Sequence, residues 1–152
     1  MPEKQTMERA KKDKREGKAS STQAGEFVRE EMHHIREGKH GARSAKQAIA
    51  IGLSKARRAG VDLSAPKKGT ASEEPRRNAK AALSKGRSRK KVSAKRSSAT
   101  RSALQREGHA AASKPALSRQ ARASARKRGP ASMRAAARKA VRTKGQQLHD
   151  AR

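Results

Sequence analysis

The residues of this sequence best equipped for chemistry are its lysines and arginines, which recur every few positions among alanines and serines in the second half. Cationic side chains spaced in this way can lie along a row of phosphates and release the counterions bound there. In a helix, Arg119, Arg122 and Arg126 would share one face. The candidate nucleic-acid contacts are Arg87, Arg89, Lys90, Lys91, Lys95, Arg96, Arg119, Arg122, Arg126, Lys127, Arg128, Arg134, Arg138, Lys139 and Arg142.

A second group of reactive residues lies in the stretch EEMHH. It places Glu30 and Glu31 each three residues before a histidine, His33 or His34, and His40 follows in the next turn. Helical bundles that repeat Glu-x-x-His on paired helices hold metals, but this chain has one copy and no partner helices. We therefore expect exposed polarity beside a turn, with no metal and no other cofactor. Protonation of these histidines below about pH 6.5 would add charge that favours a polyanion.

The sequence has no recognisable motif for catalysis or for base-specific recognition of nucleic acid. The turn GKHGARS does not have the spacing of a phosphate loop, and no serine has an identifiable base, so we expect neither an enzyme nor a small-molecule substrate. The single aromatic residue outside histidine, Phe27, belongs in a core, which leaves no platform on which unpaired bases could stack. Two helices without a third supporting helix are a weak case for a helix-turn-helix reader.

Composition points to a polyanion as the partner. The 152 residues carry a net charge of +28, and only 32% of them are hydrophobic, most of these being alanine. Such chains bury too little apolar surface to offset the entropy of ordering, and they are drawn to nucleic acid or anionic membranes. A membrane partner is not favoured, because large apolar residues are thinly spread in the basic half. The longest apolar run, residues 48–53, is far shorter than the ~20 residues of a membrane span.

The compartment is expected to be the cytoplasm. There is no cysteine, so there is no disulfide framework and no thiolate metal site. The first residues lack the apolar core of a secretory signal, and their acidic residues are unlike a mitochondrial transit peptide.

Charge divides the chain into a head and an arm. Residues 1–64 hold 15 Lys and Arg against 9 Asp and Glu, a net of +6, whereas residues 65–152 hold 26 against 4, a net of +22. The expected fold is mostly α, with a small helical hairpin head and a largely disordered or conditionally helical basic arm. We expect a polar charged segment with at most a frayed helix at 1–20, the hairpin at 21–63, a linker at 64–74, and a low-complexity arm with short helices at 75–152.

The hairpin is predicted from apolar spacing and turn residues. One helix over 24–37 would end at Gly38, and a second would begin at Ser44, which forms a capping box with Gln47, and end at Gly60. Small residues on the second helix would let a partner helix approach closely, the natural partner being the first helix and the alternative a second copy of the chain. The expected interface residues are Phe27, Met32, Ile35, Ala48, Ile49, Gly52, Leu53 and Ala56.

The arm is predicted to contain short helical pieces. Glu73, Glu74 and Pro75 form a good helix start, and further candidate helices span 94–107, 115–128 and 131–143. The related units ALSKGR, ALQREG and ALSRQA recur at irregular spacing, which argues against a solenoid.

The block EMHHIREGKHGARSAKQAIAIGLSKARRAG, residues 31–60, resembles an uncharacterised family of small basic bacterial proteins. The resemblance implies a bacterial or phage origin and a compact helical unit, and it implies no activity. The basic arm is similar in composition to the tails of linker histones and bacterial histone-like proteins. The matching residues are Met32, His33, Ile35, Gly38, Lys39, Lys46 to Ile51, Gly52, Leu53 and Ser54.

These observations favour a histone-like, nucleoid-associated protein that binds nucleic acid, DNA rather than RNA, without sequence specificity. It would act by charge neutralisation and bridging, and the hairpin would support a homodimer. Two alternatives stay open. One is a basic protein associated with RNA or the ribosome, and the other is an adaptor whose hairpin binds a protein partner.

Overall fold

The computed structural model describes residues 2–69, 72–88 and 93–149, which form helices and no strand. The mostly α prediction is confirmed over these residues. The chain divides into two compact units, residues 1–116 and 117–152. The helices are α1 (Lys4–Arg15), α2 (Ser20–Arg36), α3 (Ala45–Arg58), α4 (Glu73–Arg87), α5 (Ala94–Gln105) and α6 (Lys114–His149), with one 3-10 turn at Ala110–Ala112 between α5 and α6.

The predicted hairpin is formed by α2 and α3, and glycine sets the end of α2. Gly38 has a φ of +73°, a left-handed conformation that other residues rarely adopt. Its N–H donates to the Ile35 carbonyl at 3.2 Å, and the N–H of Lys39 donates to the His34 carbonyl at 3.0 Å. These two bonds satisfy carbonyls at the end of α2 and turn the chain back toward α3.

The ends of α3 are also those that the sequence predicts. The Ser44 hydroxyl accepts a hydrogen bond from the N–H of Gln47 at 3.2 Å, and the Gln47 side chain accepts one from the N–H of Arg43 at 2.7 Å. At the other end Gly60 has a φ of +91°, and Val61 folds back to donate to the last turn. The helix therefore has a fixed start, and its C-terminal turn leads into the core.

Small residues let α2 and α3 touch along their backbones. A Cβ atom added to Gly52 would lie 2.7 Å from the Cα of Val28. Ala48 and Ala56, on the same face of α3, are fully buried. Because this close contact is made within one chain, a second copy cannot use the same face of α3 as a dimer interface without opening the hairpin. Of the expected interface residues, Phe27, Met32, Ile35, Ala48, Gly52 and Ala56 are buried, and Ile49 and Leu53 are half-buried.

The N-terminal segment is a complete helix rather than a frayed one. Thr6 and Ala10 of α1 are buried, and Met7 packs on the core that contains Phe27. Arg9 pairs with Glu26 on α2. The sequence did not indicate this docking because Met7 and Ala10 are a very short apolar stripe, which acquires partners only once the hairpin exists.

Segments assigned to the arm also pack on the hairpin. A Cβ atom on Gly86 of α4 would lie 2.2 Å from the carbonyl oxygen of Arg57. The last turn of α5 reaches the α2–α3 turn, where the N–H of Gly41 donates to the Leu104 carbonyl at 2.8 Å. The Arg36 guanidinium also donates to the carbonyl of Ala112 at 3.0 Å. The first unit therefore extends well beyond residue 63.

None of the described helices has the length and apolar content needed to cross a membrane.

Candidate nucleic-acid interface

The helix α6 carries most of the predicted nucleic-acid contacts. Its start is fixed by Ser113, whose hydroxyl accepts a hydrogen bond from the N–H of Ala116 at 3.3 Å, and Pro115 stands in the first turn, where a missing N–H costs nothing. Alanine and arginine, which fill much of the helix, have high helix propensity. Local sequence alone therefore favours this helix.

A break at Gly129 divides α6 into two segments. Gly129 has a φ of 74° and a ψ of 167°, a conformation open to glycine and strained for other residues. Pro130 follows, and proline disfavours helical geometry in the residue before it. The predicted division between 115–128 and 131–143 is confirmed, although the second segment extends to His149.

The cations of α6 whose side chains are described are exposed to solvent. Arg119, Arg122 and Arg126 are exposed and lie at the spacing that shares one helix face. In the second segment the exposed arginines recur every four residues, a rise of about 6 Å per step. Between positions 117 and 149 the sequence has ten Lys and Arg and no Asp or Glu. The predicted contacts on this helix are Arg119, Arg122, Arg126, Lys127, Arg128, Arg134, Arg138, Lys139 and Arg142, all exposed.

The remaining predicted contacts do not join this helix. Lys95 and Arg96 are exposed on α5, and Arg87 is the last residue of α4. Arg89, Lys90 and Lys91 lie outside the described residues. The structure thus gathers nine of the fifteen predicted contacts on α6.

Nothing on α6 forms a core. From position 117 onward, no residue whose side chain is described is buried, and Val141 is 74% exposed. A helix without a core depends on its own propensity, which in water is marginal for isolated helices up to about 15 residues, the length of the segment of α6 before Gly129. Groups that bind its side chains can therefore change its helix content.

Several cations of the first unit lie beside carboxylates. The Lys18 ammonium lies 2.8 Å from carboxylate oxygens of both Asp13 and Glu16. These hydrogen bonds, with Asp13 as the stronger partner, raise the pKa of Lys18, and the bond from Lys18 lowers the pKa of Glu16. On α2 and α3, Lys55 lies 2.6 Å from Glu31. The head thus compensates much of its own charge.

Arg57 is a buried cation with a structural role that the sequence analysis missed. It is buried, and burial lowers its pKa because the charged form loses solvation. Its guanidinium donates to the Leu63 carbonyl at 3.0 Å and to the Ser64 carbonyl at 3.1 Å. Arg57 therefore fixes the chain after α3. Only its position beside Gly60, where the chain reverses, could have hinted at this role.

The structure also corrects the expectation that the histidines near the α2–α3 turn are all exposed. His33 is exposed as predicted, with 60% of its side chain accessible, but exposed polarity is wrong for His34 and His40, at 13% and 15%. Both rings lie beside Glu31, whose carboxylate is fully buried. The sequence concealed this cluster because His40 reaches α2 only through the tight turn after Gly38.

Comparisons of this chain with protein-family models, with curated proteins and with solved structures found no match.

Proposed function

We propose that this chain binds nucleic acid, DNA rather than RNA, without sequence specificity, and that it acts as a histone-like protein of the bacterial nucleoid. The observation that carries the proposal is the run of ten Lys and Arg without an acidic residue between positions 117 and 149 of α6. No acidic group of its own helix can neutralise that charge, so a polyanion is the natural counterpart. The resemblance of residues 31–60 to small basic bacterial proteins agrees with this setting.

Charge neutralisation is the proposed mechanism of binding. Each phosphate that a cation of α6 neutralises releases counterions and adds about 0.9 to the slope of log affinity against log salt. Arg119, Arg122 and Arg126 face one side, whereas Arg128 lies about 180° around the helix from Arg119. Cations on opposite sides let one helix contact two nucleic-acid segments, which is how bridging would arise.

Helix formation in α6 is proposed to be coupled to binding. Arg134, Arg138 and Arg142 stand four residues apart, and like charges at this spacing destabilise a helix by about 0.2–0.5 kcal/mol per pair. Phosphates placed between these side chains remove the repulsion. We therefore expect the helix content of the arm to rise when the polyanion is added. This agrees with the conditionally helical arm that the sequence predicts.

Backbone recognition also accounts for the lack of specificity. The sequence from 117 to 149 has no Phe, Trp or Tyr, so it lacks the side chains on which single-stranded bases usually stack. A role as a protein adaptor has less support, because most of the apolar face of the hairpin is occupied within the chain.

The test is a salt titration of the affinity of the full chain for a random duplex, a random single strand and a structured RNA. The variant R119Q/R122Q/R126Q is compared with K11Q/K14Q/R15Q, which removes three exposed cations from α1. We expect the α6 variant to lower the slope on duplex DNA by up to about 3, and the α1 variant to lower it much less. Equal effects of the two variants, or a hundredfold preference for RNA at matched salt, would contradict the proposal.

A further inference from the structure

A buried carboxylate and two histidines meet where α2 turns into α3. Glu31 is fully buried, and its Oε1 lies 3.3 Å from Nε2 of His40. Among the described residues, one ligand atom each from Glu31, His34 and His40 lie within 4.8 Å of one another. Neither oxygen of Glu31 accepts a hydrogen bond of regular geometry from the described residues.

The ring of His40 is oriented by the backbone. Its Nδ1 lies 3.1 Å from the carbonyl oxygen of Gly41, and a carbonyl can only accept, so Nδ1 carries the hydrogen. In the neutral ring, Nε2 then presents its lone pair to the carboxylate oxygen of Glu31. Two acceptors facing each other at 3.3 Å require a cation between them, either a proton or a metal ion.

His34 is the third side chain of the cluster. Its Nε2 lies 2.9 Å from Oε1 of Glu3, and donation to that carboxylate leaves Nδ1 with the lone pair. The His34 and His40 rings stand nearly perpendicular, with centroids 6.1 Å apart. Metal-bound histidines typically donate their other ring nitrogen to a carboxylate or a backbone carbonyl, and both histidines are held in this way.

The electrostatic surroundings also suit a cation. The Lys55 ammonium lies 2.6 Å from Oε2 of Glu31 and 3.7 Å from Glu30, and Lys39 lies 3.5 Å from Glu3. Lys39 also lies 3.0 Å from Glu37. With neutral histidines, these four carboxylates face two ammonium groups, a net of −2 in a chain of +28. Because Lys55 occupies Oε2, it leaves Oε1 of Glu31 as the oxygen available to a metal.

We propose that Glu31, His34 and His40 bind one divalent transition-metal ion of the Zn²⁺ class. Two imidazoles and a carboxylate suit such ions, whereas Ca²⁺ and Mg²⁺ prefer oxygen ligands alone. A tetrahedral site with bonds of about 2.0–2.1 Å separates its ligand atoms by about 3.4 Å. The Glu31–His40 pair already meets that distance. The other separations are at most 4.8 Å, so they exceed it by no more than about 1.4 Å. A bound ion would tie the α2–α3 turn to α2.

The experiment titrates Co²⁺, and then Zn²⁺ in competition, into the full chain at neutral pH. We expect one equivalent to bind, with the visible absorption of a tetrahedral cobalt site. His40→Gln and His34→Gln are expected to weaken binding at least tenfold. The control His33→Gln removes an exposed histidine of the same helix and leaves binding unchanged. Thermal unfolding without metal checks that each variant folds.

A second measurement on the unaltered chain keeps the test independent of the variants. We expect the imidazole nitrogen signals of His34 and His40 to shift first on addition of Zn²⁺, and those of His33 and His109 to lag. The proposal is overturned if the exposed histidines respond first or if no single equivalent saturates. It is also overturned if His40 carries hydrogens on both ring nitrogens at neutral pH while excess Zn²⁺ is present. In that case a proton, and not a metal ion, lies between Nε2 of His40 and Oε1 of Glu31.

Discussion

Gly52 and Val28 define the closest approach in the hairpin, since a Cβ atom on the glycine would stand 2.7 Å from the valine Cα and 3.0 Å from its N. Backbone atoms cannot move aside as a flexible side chain can. The separation of α2 and α3, and with it the turn that carries His40, therefore depends on the absence of a single methyl group.

Gly52→Ala is expected to destabilise the first unit. Overpacking of this kind costs about 1–3 kcal/mol, which exceeds the gain of about 1 kcal/mol from better helix propensity. The matched control is Gly25→Ala on α2, where an added Cβ meets nothing within 4 Å. This control should raise the free energy of unfolding by up to about 1 kcal/mol in the same urea titration. Equal stability of the two variants would show that the helices are not in contact at Gly52.

Gly41→Ala is expected to detach the segment after α5 from the hairpin turn. Its Cβ atom would lie 1.9 Å from the carbonyl oxygen of Glu107, so the hydrogen bond from Gly41 to Leu104 is lost. Amide hydrogen exchange reports this loss as faster exchange at Gly41 and at Ala42, which donates to Gly108. Gly108→Ala, whose Cβ atom meets nothing within 4 Å, should leave both amides protected.

Arg57→Ala is expected to cost about 2–4 kcal/mol. It removes the guanidinium that donates to the Leu63 and Ser64 carbonyls, and hydrogen bonds that involve a charged group contribute about 1.5–3 kcal/mol each. The neighbouring Arg58 is exposed on the same helix, so Arg58→Ala should change stability by no more than about 0.5 kcal/mol. Similar losses in the two variants would remove the special role of Arg57.

The ion cluster around Lys18 makes stability depend on pH in acid. The pKa of Glu16 is lowered below its ordinary 4.5 by the bond from Lys18. Its stabilising contribution is therefore complete above that value and is lost as the pH falls through the lower, folded pKa. The raised pKa of Lys18 has the opposite sign, so its contribution is lost only above the ordinary lysine value of 10.5.

Glu16→Gln should accordingly flatten the decline in stability between about pH 5 and about pH 3, measured by urea unfolding. Glu8→Gln removes the same charge from an exposed position of α1 and should leave the steeper decline of the unaltered chain. An identical pH profile for both variants would argue against the Glu16–Lys18 contact.

The sequence predicted those parts of the fold that local signals determine. Gly38, Ser44 and Gly60 set the ends of the hairpin helices, and Gly129 with Pro130 sets the break in α6, because caps and backbone restrictions act within a few residues. The exposed arginines of α6 were equally predictable, since no partner is needed to leave a charge in water.

Long-range packing could not be predicted in the same way. Met7 and Ala10 became core residues only because α2 and α3 together offer an apolar surface to α1. Glu31 is fully buried, which the composition does not lead one to expect because burying a carboxylate costs desolvation free energy. Lys55 from the next helix compensates this cost. Such pairings depend on which helices meet, and neither charge counting nor periodicity contains that information.

Under the proposed function, the break at Gly129 would make the basic helix a bivalent ligand of nucleic acid. Each segment alone offers few cations and, under the proposed function, would leave a nucleic-acid strand quickly. A single residue joins them, so a segment that dissociates remains at high effective concentration near its site and rebinds before the other lets go. Retention on the polyanion would then be governed by avidity between two weak halves rather than by the strength of any one contact.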